Sequence, residues 1–409
     1  MSQSVLLSKK GMTQAQLATA LADPGSAVGQ KAAEVASIRR SPQAISGLGD
    51  SITYGDASLY QSQYTISTTY FGRLVMKSNG RLRYVQNWGF AGATTQQIID
   101  SKLASCIADD STLVMVMAGT NDIGAVGYNA DTTLTNLTRI WDALLAAGKT
   151  PIVGTAPPRT GKVPEVTKLN VRIKHEAAKR NLPVVDLYAV WADPLTGIYQ
   201  TQYNDGSDGG VHPNAAGAKA GAVAAWAVVQ GLIADTPAVL LPSVVNDGAN
   251  MLTDGIFTGA LTSGVAAGWT INGGTTGVTY SVEDHAGWVG KAQVATLNNN
   301  TGTVYLSQTL TTGFAVGDRL HCCGRVDGVA SGTTYMPYLV FSSGNPGQVR
   351  LINGTGLTID ANDWTWAVDC VVPPGTTAVA LRLQASAGTG VVKWGQVGLY
   401  NLTALGLAA

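Results

Sequence analysis

Charge is what this chain has least of. Of its 409 residues 26 are basic and 26 acidic, so charged side chains make up 13% and the formal charge is zero. Nucleic-acid binding needs a basic surplus or stripe to neutralise phosphates, so a nucleic-acid partner is not expected. Cysteine is scarce as well. Cys106, Cys322, Cys323 and Cys370 are too few and too irregularly spaced for a disulfide framework. Long apolar runs are also missing: the most apolar stretch, residues 220–234, is interrupted by Gln230 and Gly231 and is too short for a bilayer span. The opening MSQSVLLSKKGMTQ lacks the apolar core and cleavage site of a signal peptide. A soluble protein without a membrane span is therefore expected. Glycine, by contrast, is abundant at 49 residues, beside a hydrophobic share of 45%. That pairing suits a compact, turn-rich chain rather than a disordered one, and the length exceeds what one core normally serves.

The text falls into distinct parts. Residues 1–40 read as an N-terminal extension of two alanine-rich helices, Thr13 to Leu21 and Ser26 to Arg39, separated by a turn at Asp23-Pro24-Gly25. Residues 41–236 alternate between apolar runs and helical stretches. Buried strands are expected at 44–48, 82–86, 112–117, 151–155 and 183–187, and helices at 95–107, 131–147, 165–180 and 214–234. This alternation predicts an α/β fold, a parallel sheet covered on both faces, with working residues gathered where strands end. Residues 237–249 read as a linker. From 250 to 409 short alternating runs rich in glycine, threonine and valine predict an all-β antiparallel sandwich.

Four loop segments carry chemical groups. Gly47-Leu48-Gly49-Asp50-Ser51 follows the first strand, where Ser51 either presents a hydroxyl to a substrate or caps a helix. Asn87-Trp88-Gly89-Phe90-Ala91-Gly92 follows the second, and its glycines let backbone N–H groups approach a ligand. Gly119-Thr120-Asn121-Asp122 follows the third; the Asn121 amide suits either an oxyanion or a turn. The last, Asp208-Gly209-Gly210-Val211-His212-Pro213-Asn214, places a histidine at the first turn of the final helix.

In this order the four segments resemble the blocks of the SGNH hydrolases, also called the GDSL family, across residues 44–234. No nucleophile elbow of the larger α/β-hydrolase type is present. The resemblance implies a three-layer α/β/α, flavodoxin-like domain acting as a carboxylic ester hydrolase through an acyl-serine, without metal or cofactor. It implies Ser51 as nucleophile and His212 as base, with an oxyanion hole built from the N–H groups of Ser51 and Gly92 and the Asn121 amide. Gly92 is taken over Gly89 because it holds the later glycine position of its block. The acid departs from the family spacing, since position 209 is glycine where an aspartate three residues before the histidine is usual. Asp208 is the expected acid, reached by a bulge at Gly209 and Gly210; Asp205 and a backbone carbonyl are the alternatives.

The remaining candidates receive plainer readings. His175 is read as solvated, and His285, beside Glu283 and Asp284, as part of a solvated cluster or a calcium loop. Arg159 is read as a loop arginine, either solvated or reaching the substrate. Of His321-Cys322-Cys323 only His321 and Cys323 share a strand face, and no metal site is expected. The C-terminal part resembles jelly-roll modules that bind carbohydrate, and Trp364 and Trp366 share one strand face, either as core or as a sugar platform. Joined to an esterase, such a module implies O-acyl, foremost O-acetyl, esters of a polysaccharide as substrate. Alternatives are a lipase or thioesterase of the same family, and a phage tail receptor-binding or structural protein, since residues 1–40 resemble leading segments of phage tail proteins. Homo-oligomerisation through those residues, and a virion, extracellular or cytoplasmic location, stay open.

Overall fold

The computed structural model describes residues 43–54, 69–204, 206, 208–235, 241–244, 247–273, 276–331, 334–344, 347–350 and 359–407, with scattered positions between 19 and 30. The two expected N-terminal helices lie largely outside the described residues, as does part of the expected linker. Two compact units result, Pro42–Thr236 and one that contains Pro237–Ala409.

The first unit is built on five parallel strands: β1 (Ala44–Gly49), β2 (Arg83–Gly89), β3 (Leu113–Met117), β4 (Thr150–Gly154) and β5 (Val184–Val185). Their order is β2-β1-β3-β4-β5. Every residue of β1 and of β3 is buried, as a strand covered on both faces requires. Helices join the strands: α1 (Ser51–Tyr54), α2 (Tyr70–Lys77), α3 (Thr95–Ile98) continuing through a π-helical turn (Ile99–Leu103) into α4 (Ala104–Ala108), α5 (Thr120–Gly124), α6 (Ala130–Ala146), α7 (Val163–Lys179), α8 (Leu187–Trp191) and α9 (Ala215–Val229). The expected α/β sheet and its long helices are present. The short α1, α2 and α8 had no counterpart in the periodicity, although Thr69 caps α2 by accepting from Gly72 N–H.

Ile140, Trp141 and Leu144 of α6 and Leu169 and Ile173 of α7 pack in one cluster with Leu48, Val114, Val116 and Val153 of the sheet. Elsewhere in the unit, α9 carries alanine and glycine where large side chains press on it. A Cβ on Gly221 would stand 2.5 Å from the Trp191 ring, and that ring meets Tyr70 edge-on at 6.1 Å. Strand order reverses between β1 and β3, so the chain leaves them in opposite directions and opens a crevice at their carboxyl ends.

Asp109, between α4 and β3, is a buried hub. It accepts from Ser46 Oγ of β1 and from Trp88 Nε1 of β2, both at 2.6 Å, from the Ser111 hydroxyl, and from Lys149 Nζ at 2.8 Å. Burial alone pushes its carboxyl up, but these donors outweigh it and hold it below the usual value.

The second unit is antiparallel and all-β, as expected. It comprises β6 (Leu261–Thr262), β7 (Val265–Ala266), β8 (Thr270–Gly273), β9 (Val278–Asp284), β10 (Lys291–Leu310), β11 (Arg319–Ser331), β12 (Thr334–Ser342), β13 (Gln348–Arg350), β14 (Ile359–Val371) and β15 (Ala378–Asn401). Strands β10 and β15, 20 and 24 residues long, pair along their length and are interrupted by register shifts between Leu297 and Thr303. At one end they lie between β12 and β8, at the other between β11 and β9. Irregularities of this kind bend strands, so two halves of the sheet share the same pair of long strands.

Several single-residue expectations change here. Trp366 is 1% exposed and fills the space over Gly324, so the sugar-platform reading of Trp364 and Trp366 fails and the core reading of Trp366 holds. His285 is half-buried rather than solvated: it stacks on Trp288 at 3.8 Å and its Nε2 lies 2.8 Å from Asp327. His321 Nδ1 lies 2.7 Å from Asp369 Oδ1, and the four cysteines are buried without disulfides. His175 is exposed, as read.

Removing one partner of a buried ion pair strands the other charge. Asp109→Ala is therefore expected to cost about 3–5 kcal/mol in urea unfolding, with Lys149 left uncompensated. A loss below about 1 kcal/mol contradicts the hub.

Candidate active site

The catalytic candidates stand at the carboxyl edge of the parallel sheet. Ser51 begins α1 directly after β1, and its Oγ lies 2.7 Å from His212 Nε2. On the other side of the ring, His212 Nδ1 lies 2.6 Å from Asp208 Oδ2. With Nδ1 protonated toward the carboxylate, Nε2 carries the lone pair that accepts the serine proton.

Asp208 reaches the ring because the loop is wound around its carboxylate. Gly209 and Gly210 both adopt left-handed φ, 74° and 75°, which side chains with a Cβ rarely enter. The turn brings the Gly210 and Val211 N–H groups to Oδ1 at 3.1 Å each and the His212 N–H to Oδ2 at 2.7 Å. Asn204 adds an amide donor to Oδ1 at 3.2 Å and also bonds the His212 carbonyl. Partial burial alone would raise the Asp208 carboxyl, but the bonds from Val211, Asn204 and His212 overcome it and bring it down to about 2. The structure thus brings Ser51, His212 and Asp208 together, whereas Asp205 lies outside the described residues.

The candidate oxyanion donors come from the next two loops. Gly92 has φ 72° and is exposed, and its N–H bonds no other group among the described residues. Gly89 N–H, by contrast, is spent on Asn87 Oδ1 at 2.9 Å. Asn121 donates one amide hydrogen to Ala93 O at 3.0 Å, which ties the β3 loop to the residue following Gly92. Asp122 reinforces this tie by accepting from Thr95 N–H at 2.8 Å and from the Thr95 hydroxyl at 2.6 Å. Arg159 is neither solvated nor free: its Nη1 donates to Thr120 O at 3.0 Å and its guanidinium covers Gly124.

Sequence reasoning missed three supporting groups. Asn204 stands outside the motif, and only its amide chemistry in a loop before the acid hinted at a role. Asp122 was within reach, being the last residue of Gly119-Thr120-Asn121-Asp122. Asp50 was quoted as part of a motif without a task of its own. Its side chain is fully buried; Oδ1 accepts from Ile52 N–H at 3.0 Å, and Thr120 stands beside the carboxyl. Burial pushes this carboxyl up to about 6.

Among the described residues no group of three His, Cys, Asp or Glu side chains is placed to hold a metal ion, and no helix is long and apolar enough to cross a membrane.

The Asp50 environment fixes a pH dependence. Its folded-state value stands above the ordinary 3.8, so the native chain binds more protons than the unfolded chain between about pH 4 and 6. Its contribution to stability is full below pH 4 and is lost as pH rises through 6, a difference of about 3 kcal/mol for a shift of about two units. Asp50→Asn keeps the acceptor and cannot ionise. Its stability relative to the parent, from urea titrations, is expected to increase between pH 4.5 and 7.5; a pH-independent difference contradicts the assignment.

Residues 48–220 match the model of the GDSL-like Lipase/Acylhydrolase family. No curated protein matches the sequence. Among solved structures, a GDSL-like lipase from Bacteroides thetaiotaomicron is similar at 22% identity, covering 50% of this chain and 96% of its own, with a TM-score of 0.36. A carbohydrate acetylesterase family member from Sinorhizobium meliloti shows 16% identity over 46% of this chain and 98% of its own, at 0.38. A catalytic mutant of an acetylxylan esterase from Geobacillus stearothermophilus shows 18% identity over 46% and 94%, at 0.39. With its serine, glycine, asparagine and histidine loops ranged along one sheet edge in the order set out above, the Pro42–Thr236 unit is a GDSL-like acylhydrolase domain.

Proposed function

We propose that the protein is a serine esterase that removes O-acyl groups, foremost O-acetyl, from a carbohydrate. The observation that carries this reading is the unbroken chain of short contacts from Ser51 Oγ through the His212 ring to Asp208. In the reaction His212 Nε2 takes the Ser51 proton as Oγ attacks the ester carbonyl. The N–H groups of Ser51 and Gly92 and the Asn121 amide then receive the developing oxyanion. The imidazolium, held by Asp208, returns its proton to the departing alcohol as the C–O bond breaks, leaving an acyl-serine. Water, deprotonated by the same Nε2, attacks the acyl carbon, and Ser51 leaves with the proton.

Two features favour a hydroxylated leaving group on a bulky polymer. The site is open, with the His212 side chain 43% exposed and Gly92 on the surface. Beside the acid loop lies a cavity of about 410 Å³ walled by Thr160, Ile198, Tyr199, Thr201, Asn204 and Gly210. The threonine hydroxyls offer hydrogen-bond partners to sugar hydroxyl groups, and Ile198 and Tyr199 give an apolar wall for a sugar ring.

Acetate release from acetylated polysaccharide, together with a p-nitrophenyl ester series of rising chain length, tests the proposal. Ser51→Ala is expected to lower kcat by about 10⁴-fold or more. Asn121→Ala is expected to lower kcat by about 10²–10³-fold with little change in KM. Preference for long acyl chains would favour a lipase or thioesterase, and equal background rates for parent and Ser51→Ala would favour a binding protein without catalysis.

A further inference from the structure

The second unit carries, on the polar face of its sheet, a cation with no counter-charge among the described residues. Register aligns Tyr338 of β12, Arg382 of β15 and Ser307 of β10 directly across three strands. One pair further along, Gln384, Tyr305 and Asn272 of β8 are aligned in the same way. All six lie on one face, because paired residues project together and alternate residues share a side. The opposite face presents Leu306, Leu339, Phe341, Leu381 and Leu383, each 1% exposed or less. On the polar face Arg382, Gln384, Tyr305 and Asn272 are half-buried, while Tyr338 and Ser307 are buried.

The Arg382 guanidinium stands over the Tyr305 ring at 4.5 Å and the Tyr338 ring at 5.6 Å. It donates from Nη1 to the Tyr338 hydroxyl at 3.2 Å, while its buried Nε has no partner among the described residues. No carboxylate among the described residues pairs with it. Two aromatic faces have thus removed much of its water, and most of its five N–H donors stay unused. A desolvated, pre-oriented guanidinium of this kind is matched by a planar, bidentate anion such as a carboxylate. Around it, ring surface and short polar groups alternate, with the Asn272 amide bonded to Ser307 Oγ at 2.9 Å. At the usual spacing of adjacent strands the platform from β12 to β8 is about 14 Å across, room for several linked rings.

We propose that this face binds an acidic polysaccharide, a carboxylated sugar placing its carboxylate on Arg382 and its ring against Tyr305, with neighbouring hydroxyls meeting Asn272 and Gln384. This site is independent of Ser51 chemistry. Full-length protein carrying Ser51→Ala, which holds substrate without turnover, is run in affinity gels containing polygalacturonate, hyaluronate or polysialic acid, with neutral dextran and polyglutamate as controls. Retardation by at least one acidic polysaccharide, absent with dextran and polyglutamate, is expected. Adding Arg382→Gln should weaken it at least tenfold, and adding Tyr305→Ala should weaken it comparably while the thermal melt stays that of the parent. Four results each overturn the proposal: no retardation by any acidic polysaccharide, equal retardation by polyglutamate, unchanged binding in both variants, or a changed oligomeric state in them, which would make the face a contact between copies.

Discussion

The geometry of the candidate site in this protein rests on one carboxylate. Asp208 satisfies three backbone N–H groups of its own loop, an asparagine amide and the ring of His212 at once. The same bonds that close the loop also aim the imidazole, so loop conformation and ring tautomer are one property. A carboxylate so heavily solvated by fixed donors stays ionised far below neutral pH, and its charge is in place before any substrate arrives. Were the loop to lose its left-handed glycine pair, the donors and the acceptor would separate together.

The neighbouring loops are fixed by a second, separate set of bonds. Asn121 holds Ala93, Asp122 holds Thr95, and the Asn136 amide reaches the Thr95 hydroxyl at 3.1 Å from α6. The β2 and β3 loops therefore behave as one body, anchored to a helix packed in the core. Asn121 spends one amide hydrogen on this anchoring and keeps the other, and Gly92 keeps its N–H. Donors that are held still and left unspent require little rearrangement when charge develops, which is the condition for oxyanion stabilisation. Asp50, buried next to Ser51, is a local cost carried inside this rigid frame.

In the second unit the balance is reversed. The first unit neutralises its buried cation, Lys149, with Asp109, whereas Arg382 lies against two tyrosine rings with no counter-charge among the described residues. Polar and apolar faces of the same three strands are cleanly separated, so burial of the leucines fixes the side on which Arg382 stands. A guanidinium placed in this way is a feature of the surface rather than of the core.

The sequence by itself determined the parallel sheet, its long helices, the change to antiparallel strands after residue 250 and the four loops, because each is written in local periodicity and turn chemistry. The resemblance of those loops to a family's blocks pointed to Ser51, His212, Asn121, Gly92 and Asp208 as candidates. Only the tertiary structure decided which atoms meet. Asn204 reached the acid, Arg159 turned to Thr120, His285 found Asp327 and Trp366 entered the core through contacts between segments distant in the chain. Local preference constrains a residue's own backbone and face. The partner of a side chain is set by how separate elements pack, and one strand pattern serves buried tryptophan and open tyrosine alike.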